Sequence, residues 1–274
     1  MTRLSRVLIT CGLLAVSAGT VRAQSASTPW EKGSIQIGAF ITSSDTEMRV
    51  DSSSGAIGAV VNVENALGVG SDKSTYRIDG FYRFGETRRH QIDLHYFDSG
   101  RSGTKVLGED LEIGDTFFPT GTTVTSQVNL QFINLDYSYA FFQDDRVRLS
   151  VAGGLHTTGV KFKVESPPTL FEDQSFTAPL PVVGLRGEVA VTKRWRLKGS
   201  IDAFYLEYDQ YSGLLADTSL AVEYLPFKHV AFGLGINSVR MKVESDGDNS
   251  GGADLKGEVK FNFTGLLMYA RYLF

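Results

Sequence analysis

The chain has 274 residues, 42% hydrophobic and 21% charged, a length that holds one sizeable domain and a composition too polar for a bundle of membrane helices. Its 31 Asp and Glu outnumber 27 Lys and Arg for a formal net charge of −4, which gives no basis for a nucleic-acid partner. A single cysteine, Cys11, excludes an internal disulfide framework.

The first predicted element is a targeting segment. Arg3 and Arg6 precede a short apolar run, Val7 to Ala18, and Val21-Arg22-Ala23 offers a cleavage pattern. This reads as a secretory signal peptide over residues 1–23, with a mature domain over 24–274 starting at Gln24. The run is shorter than the roughly 20 apolar residues a spanning helix needs. Cys11 would leave with the signal, so the mature chain would hold neither a thiol nucleophile nor a cysteine-ligated metal.

Ten strands follow, over about 33–44, 74–84, 90–101, 124–142, 146–163, 178–192, 196–209, 215–226, 229–243 and 257–274. Several alternate cleanly. Tyr76, Ile78, Tyr82 and Phe84 oppose Arg77, Asp79, Phe81 and Arg83; Ile92, Leu94 and Tyr96 oppose Gln91, Asp93 and His95. Ile133, Leu135, Tyr137, Tyr139 and Phe141 oppose Phe132, Asn134, Asp136 and Ser138. One face suits lipid and the other carries charge. Tight connections at Gly85–Arg89, Gln143–Asp145, Lys193–Trp195 and Phe227–Lys228 alternate with longer polar ones at 45–73, 102–123, 164–177, 210–214 and 244–256. Met48–Val50 with Ile57–Val63 could add a hairpin and raise the count to twelve, eight being the lower alternative, and Glu64–Leu67 could form a turn of helix. No domain linker is visible.

The last predicted strand is the most informative. Counting back in twos from Phe274 gives Tyr272, Ala270, Met268 and Leu266, an unbroken apolar face, with Arg271 on the other. This resembles the C-terminal signature of Gram-negative outer-membrane β-barrels, in which Tyr272 and Phe274 would be the signal read by the barrel-assembly machinery. The resemblance implies an all-β fold: a single up-and-down antiparallel transmembrane barrel of the OmpA-like small type. It would be a monomer in the cell outer membrane, with outer-membrane lipid and lipopolysaccharide as its surroundings and no cofactor.

Candidate chemistry lies on the inward face. Arg77, Asp79, Asp93, His95, Asp136, Arg186, Glu188, Lys198, Asp202 and Glu223 form a polar lumen cluster, joined by Arg83 and Asn134. Pairing about the Gly85–Arg89 turn sets Asp79 near His95 and Arg83 near Gln91. Pairing about Lys193–Trp195 sets Arg186 opposite Asp202, with Glu188 diagonal to Lys198. Lone buried charges are expensive, so these should come as pairs that fill the lumen.

Enzymatic and metal chemistry find less. His90 and His229 flank short turns, and His156 has only threonine hydroxyls beside it, so no nucleophile–base arrangement is apparent and no enzymatic activity is expected. Asp246, Asp248, Ser250 and Asp254 space oxygen ligands as in the front half of a calcium loop, but position 12 is Gly257 rather than Glu, and a solvated loop is the simpler reading. The expected role is structural or surface-exposed, with a side-chain-filled lumen and acidic external loops. A narrow porin-like channel for small solutes is the alternative, and a lipid-modifying enzyme a third class.

Overall fold

A computed structural model describes residues 30–50, 61–113, 116–166, 170–208, 211–245 and 257–274. The expected signal segment 1–23 and the Asp246–Asp254 stretch lie outside them. Ten long antiparallel strands form the barrel: β1 Gly33–Val50, β2 Asp72–Phe84, β3 His90–Val106, β4 Thr123–Gln143, β5 Val147–Ser166, β6 Leu170–Ala190, β7 Trp195–Tyr208, β8 Tyr211–Phe227, β9 Val230–Ser245 and β10 Gly257–Leu273. Each pairs with its neighbour in sequence, and β10 pairs back onto β1 from Leu273 opposite Ser34 to Gly257 opposite Val50, which closes the sheet. Closure leaves the barrel no edge strand. Among the described residues, no helix is long and apolar enough to cross a membrane.

All ten expected strands are present; β1, β3, β6 and β8 run well past their expected ends on the long-loop side, whereas β4, β7 and β10 keep close to their expected lengths. β4 and β6 have 21 residues and β5 has 20, about twice the roughly 9–11 that a tilted strand needs to cross a bilayer. The excess has a physical reason. From the short-turn end to mid-strand, outward residues are apolar: Leu135 is 53% exposed, Leu94 51% and Ile201 55%. On β2 this lipid-type run from Phe84 to Tyr76, at about 3.3 Å per residue and a tilt of about 40°, rises roughly 20 Å. Beyond it the pattern reverses. On β4 the outward residues become Gln127, Asn129 and Gln131, while the inward ones become Val124, Val128, Leu130 and Phe132, all buried. On β5, Val160, Phe162 and Val164 point in; on β10, Val259, Phe261 and Phe263. The loop half is therefore built like a water-soluble barrel, with a polar exterior and an apolar core.

That core is aromatic-rich. Phe40 meets Phe97 edge-on at 5.1 Å between centroids, Phe97 stacks on Phe132 at 5.6 Å, and Phe261 lies 5.4 Å from Phe263. Such pairs add about 0.5–1.5 kcal/mol each beyond area burial. Val63, Leu67 and Val69 from the first long loop close its top, all essentially inaccessible. They sit on or just beyond α1, Val63–Leu67, whose start is capped by the Asn62 side chain accepting from Asn65 N and whose end is Gly68 at φ +66°. Glu64 tethers this cap inside the wall. It accepts from Thr46 N and Oγ1, both at 2.9 Å, and from Arg101 Nη1 at 2.6 Å. Among the described residues, the proposed extra hairpin reduces to Val61–Asn62 against Glu47 and Met48, so ten strands cross rather than twelve. Expected loop 102–123 is largely strand. Only 107–122 leaves the wall, carrying a small hairpin, Leu111–Ile113 with Thr116–Phe118, and an Asp110 carboxyl held below its usual range by Thr120 N–H and hydroxyl donors.

On the outer surface of the loop half, the seam between β9, β10 and β1 carries a charge ladder. Glu47, Lys260 and Lys242 lie in one row, and Arg49, Glu258 and Glu244 in the next. Lys260 reaches Glu258 at 2.9 Å and Glu47 at 3.4 Å.

Candidate functional site

The inward face of the turn half is polar and layered. At the turn end, the residues that precede β1 fold in as a stopper. Trp30 is buried; its Nε1 donates to Asp144 O at 2.8 Å, and its own carbonyl accepts from Arg88. Glu31 accepts from Arg83 Nη1 at 3.1 Å and from Arg196. Arg83, fully buried, also bonds Gln91 Oε1 at 2.6 Å and Glu188. Arg148, equally buried, has no carboxylate partner among the described residues and donates to the carbonyls of Arg88 (2.7 Å) and Arg89 (3.2 Å) and to Gln143. Lys198 lies 3.8 Å from Glu188 and 3.4 Å from Glu223. Glu223 also accepts from Tyr269 Oη at 2.7 Å and approaches Arg271 at 3.1 Å.

Above this layer lies a central belt. Asp79 takes Arg77 Nε and His95 Nδ1 on one oxygen, both at 2.7 Å, and Gln36 Nε2 on the other, also at 2.7 Å. Asp136 faces His156 Nε2 and Arg186 Nη2, both at 3.2 Å, and Arg186 Nη1 donates to Asp202 Oδ1 at 2.6 Å. Two glycines make room for it. A Cβ on Gly154 would sit 2.0 Å from Asp136 Oδ1, and one on Gly184 2.0 Å from Asp202 Oδ1. Asp217 accepts from Asn237 at 2.6 Å, and Asp93 accepts only from Gln91 Nε2, at 2.6 Å. The belt surrounds a cavity of about 160 Å³, so the lumen is stoppered at both ends but not filled throughout.

The ten inward residues expected from alternation all line this lumen. Asp79 and His95 are direct cross-strand partners, as are Arg83 and Gln91, in line with the pairing about Gly85–Arg89. The β6–β7 pairing needs correction. Arg186 lies opposite Ser200, and Glu188 directly opposite Lys198, two residues from the expected alignment. The turn is longer than the expected three residues because the Thr192 hydroxyl accepts from Arg194 N and Trp195 N, both at 3.1 Å. An even shift keeps every side chain on its face, so Arg186 still reaches Asp202, diagonally. Tyr272 and Phe274 point outward at the turn-end rim, 56% and 48% exposed. Among the described residues no group of three or more His, Cys, Asp or Glu is placed to hold a metal, and the Asp246, Asp248, Ser250 and Asp254 candidates lie outside them.

Sequence reasoning missed Trp30, Glu31, Gln36, Arg148, Arg196, Asp217, Asn237 and Arg271 as lumen members, although several share the parity of the charged face. It noted His156 without a partner. The pairing with Asp136 depends on a β-bulge between Ala140 and Phe142 that shifts β4 against β5.

No protein-family model and no curated protein matches the chain. Solved structures do. The outer membrane protease OmpT of Escherichia coli aligns over 92% of this chain and 99% of its own, at 13% identity and a TM-score of 0.53. The attachment invasion locus protein Ail of Yersinia pestis aligns over 89% of this chain and all of its own, at 11% identity and a TM-score of 0.37. The toluene transporter TbuX of Ralstonia pickettii covers 89% of this chain and 90% of its own, at 9% identity and a TM-score of 0.36. The chain thus has the fold of an outer-membrane β-barrel. The expectation of no enzymatic activity is overturned, because a protease carries this same architecture from end to end.

Proposed function

We propose that the chain works in the Gram-negative outer membrane as a monomeric closed barrel that carries a water-exposed, soluble-type half beyond the bilayer as a contact surface. One observation carries this reading: the polarity of both faces reverses mid-strand on β4, β5, β9 and β10. A face of Gln127, Asn129, Gln131, Lys161 and Lys163 belongs in water, and strands built only to cross a bilayer would end before it. On this reading residues 1–23 are a secretory signal, the loop end faces the exterior, and outer-membrane lipid and lipopolysaccharide surround the apolar belt. The assembly machinery would read the outward Tyr272 and Phe274. The stoppers Trp30–Glu31 and Val63–Leu67 favour a closed lumen over a narrow pore.

Cysteine labelling on intact cells tests the reading. A cysteine at exposed Glu109 should react with an impermeant maleimide, whereas one at exposed Lys193 should react only after the outer membrane is opened. The reverse pattern would invert the barrel and remove the soluble half from the surface. In planar bilayers the refolded protein should give no stable conductance steps, and a persistent open level would restore the pore.

A further inference from the structure

The central cavity holds a carboxylate that the ion pairs leave standing. Asp79, Asp93, Asp136, Glu188, Asp202 and Asp217 face it, against Arg77, Arg186, Lys198 and Arg271 and the imidazoles of His95 and His156. The charges balance only with both imidazoles protonated, and two of the cations are shared with the layer below, Arg271 with Glu223 at 3.1 Å and Lys198 between Glu223 and Glu188. Among the described residues Asp93 and Asp217 form no ion pair, and Asp217 accepts from Asn237. Asp93 is the less satisfied of the two. Asp93 is 7% exposed, forms no ion pair, and leaves Oδ2 without any hydrogen-bond partner, while nearby Asn134 Oδ1 is likewise unsatisfied. A buried carboxylate oxygen with nothing to accept from is among the costliest groups a protein can hold.

We propose that this cavity is a binding site for a small organic cation of the primary-amine class, its ammonium group donating to Asp93 and Asn134. A bare metal ion fits less well, because no trio of His, Cys, Asp or Glu among the described residues is placed to ligate one and about 160 Å³ is far more than an ion occupies. An alkylammonium matches both requirements. Its N–H donors meet the unpartnered oxygens, and its short apolar stem lies against the Phe81, Leu267 and Tyr269 side of the cavity. Both ends of the lumen are stoppered, so the cation would be enclosed as the barrel folds or admitted when a stopper moves.

The test uses the full chain refolded into detergent micelles with ethylammonium chloride, sodium chloride or magnesium chloride at matched ionic strength. Ethylammonium should raise the urea midpoint saturably, by roughly 1 M at a hundredfold excess over its Kd, and sodium should not. Native mass spectrometry of the same protein should find one ethylammonium retained per barrel, a measurement that needs no variant. Asp93→Asn should abolish both effects, and Asp110→Asn in the outer hairpin should leave them intact. No saturable response, a response that survives Asp93→Asn, or a response to magnesium alone would each overturn the proposal.

Discussion

Arg186 is the side chain whose loss should be felt most in the turn half. Its guanidinium spans Asp202 at 2.6 Å and Asp136 at 3.2 Å, two carboxylates that are 6% and 1% exposed. In Arg186→Ala, Asp136 keeps His156, but Asp202 keeps no cation and its oxygen is walled in by the Gly184 backbone. Breaking a buried pair from one side typically costs about 3–5 kcal/mol, because the orphaned charge retains its desolvation cost. The adjoining cavity admits some water, which places the expected loss toward the lower end, about 3 kcal/mol. Removing both charges in Arg186→Met with Asp202→Asn should recover much of that loss. Lys260→Ala, which removes an exposed ammonium from Glu47 and Glu258 at the outer seam, should cost far less than Arg186→Ala. Urea unfolding in micelles, followed by Trp30 and Trp195 fluorescence, reads all three. A loss below about 1 kcal/mol for Arg186→Ala would mean that the belt is as wet as the surface, and the claim of a stoppered lumen would fail.

The reversed polarity makes further predictions. Phe261→Ala, in the soluble-type core, should destabilise by about 3–5 kcal/mol in the same assay, whereas its exposed neighbour Asn262→Ala should stay within about 0.5 kcal/mol. Leu135→Arg should cost roughly 2–4 kcal/mol in lipid vesicles and Gln131→Arg, four residues toward the loops, at most about 1. Equal costs would remove the boundary between them. Deleting Phe274 takes away the carbonyl that accepts from Lys32 N (2.9 Å) and Gly33 N (3.0 Å) along with the outward aromatic. Less heat-modifiable protein should then reach the membrane fraction, and unchanged levels would sink the role assigned to that residue.

The outward face of the turn half was legible in the sequence because alternation with lipid is a local property of one strand: Tyr76, Ile78 and Leu135 read the same in isolation as in the barrel. The loop half was harder, because an apolar residue there points inward. Phe162 and Val164 on β5 keep the period of two but reverse its meaning; β4, β5 and β10 are still expected at close to full length, whereas β1 and β6 are expected to stop where their outward face loses its apolar pattern. The glutamate-anchored helix at 63–67 was visible as a helical turn, yet nothing in its residues says that it folds into the barrel mouth. Contacts across the lumen were legible only where a turn set the count. Asp79–His95 followed from a turn read correctly; Asp136–His156 awaited a bulge, and Trp30 precedes the first alternating residue altogether.

The mid-strand reversal also bears on how accurately the barrel assembles. In a uniformly amphipathic strand, a one-residue slip is penalised once, by turning an apolar face away from its apolar environment. Here the same slip would be penalised twice, presenting Gln36 or Asp136 to lipid at one level and Phe162 or Phe261 to water at the other. Two-residue slips escape that check, since parity survives them. Against those the protein has the bulges at Ala140/Phe142 and Tyr224/Phe227 and the shape-matched pairs Gly154–Asp136 and Gly184–Asp202, which only one alignment satisfies. Odd errors are thus caught by solvent and even errors by local geometry, so that in the β4–β5, β6–β7 and β8–β9 hairpins the alignment described above is the one both checks admit.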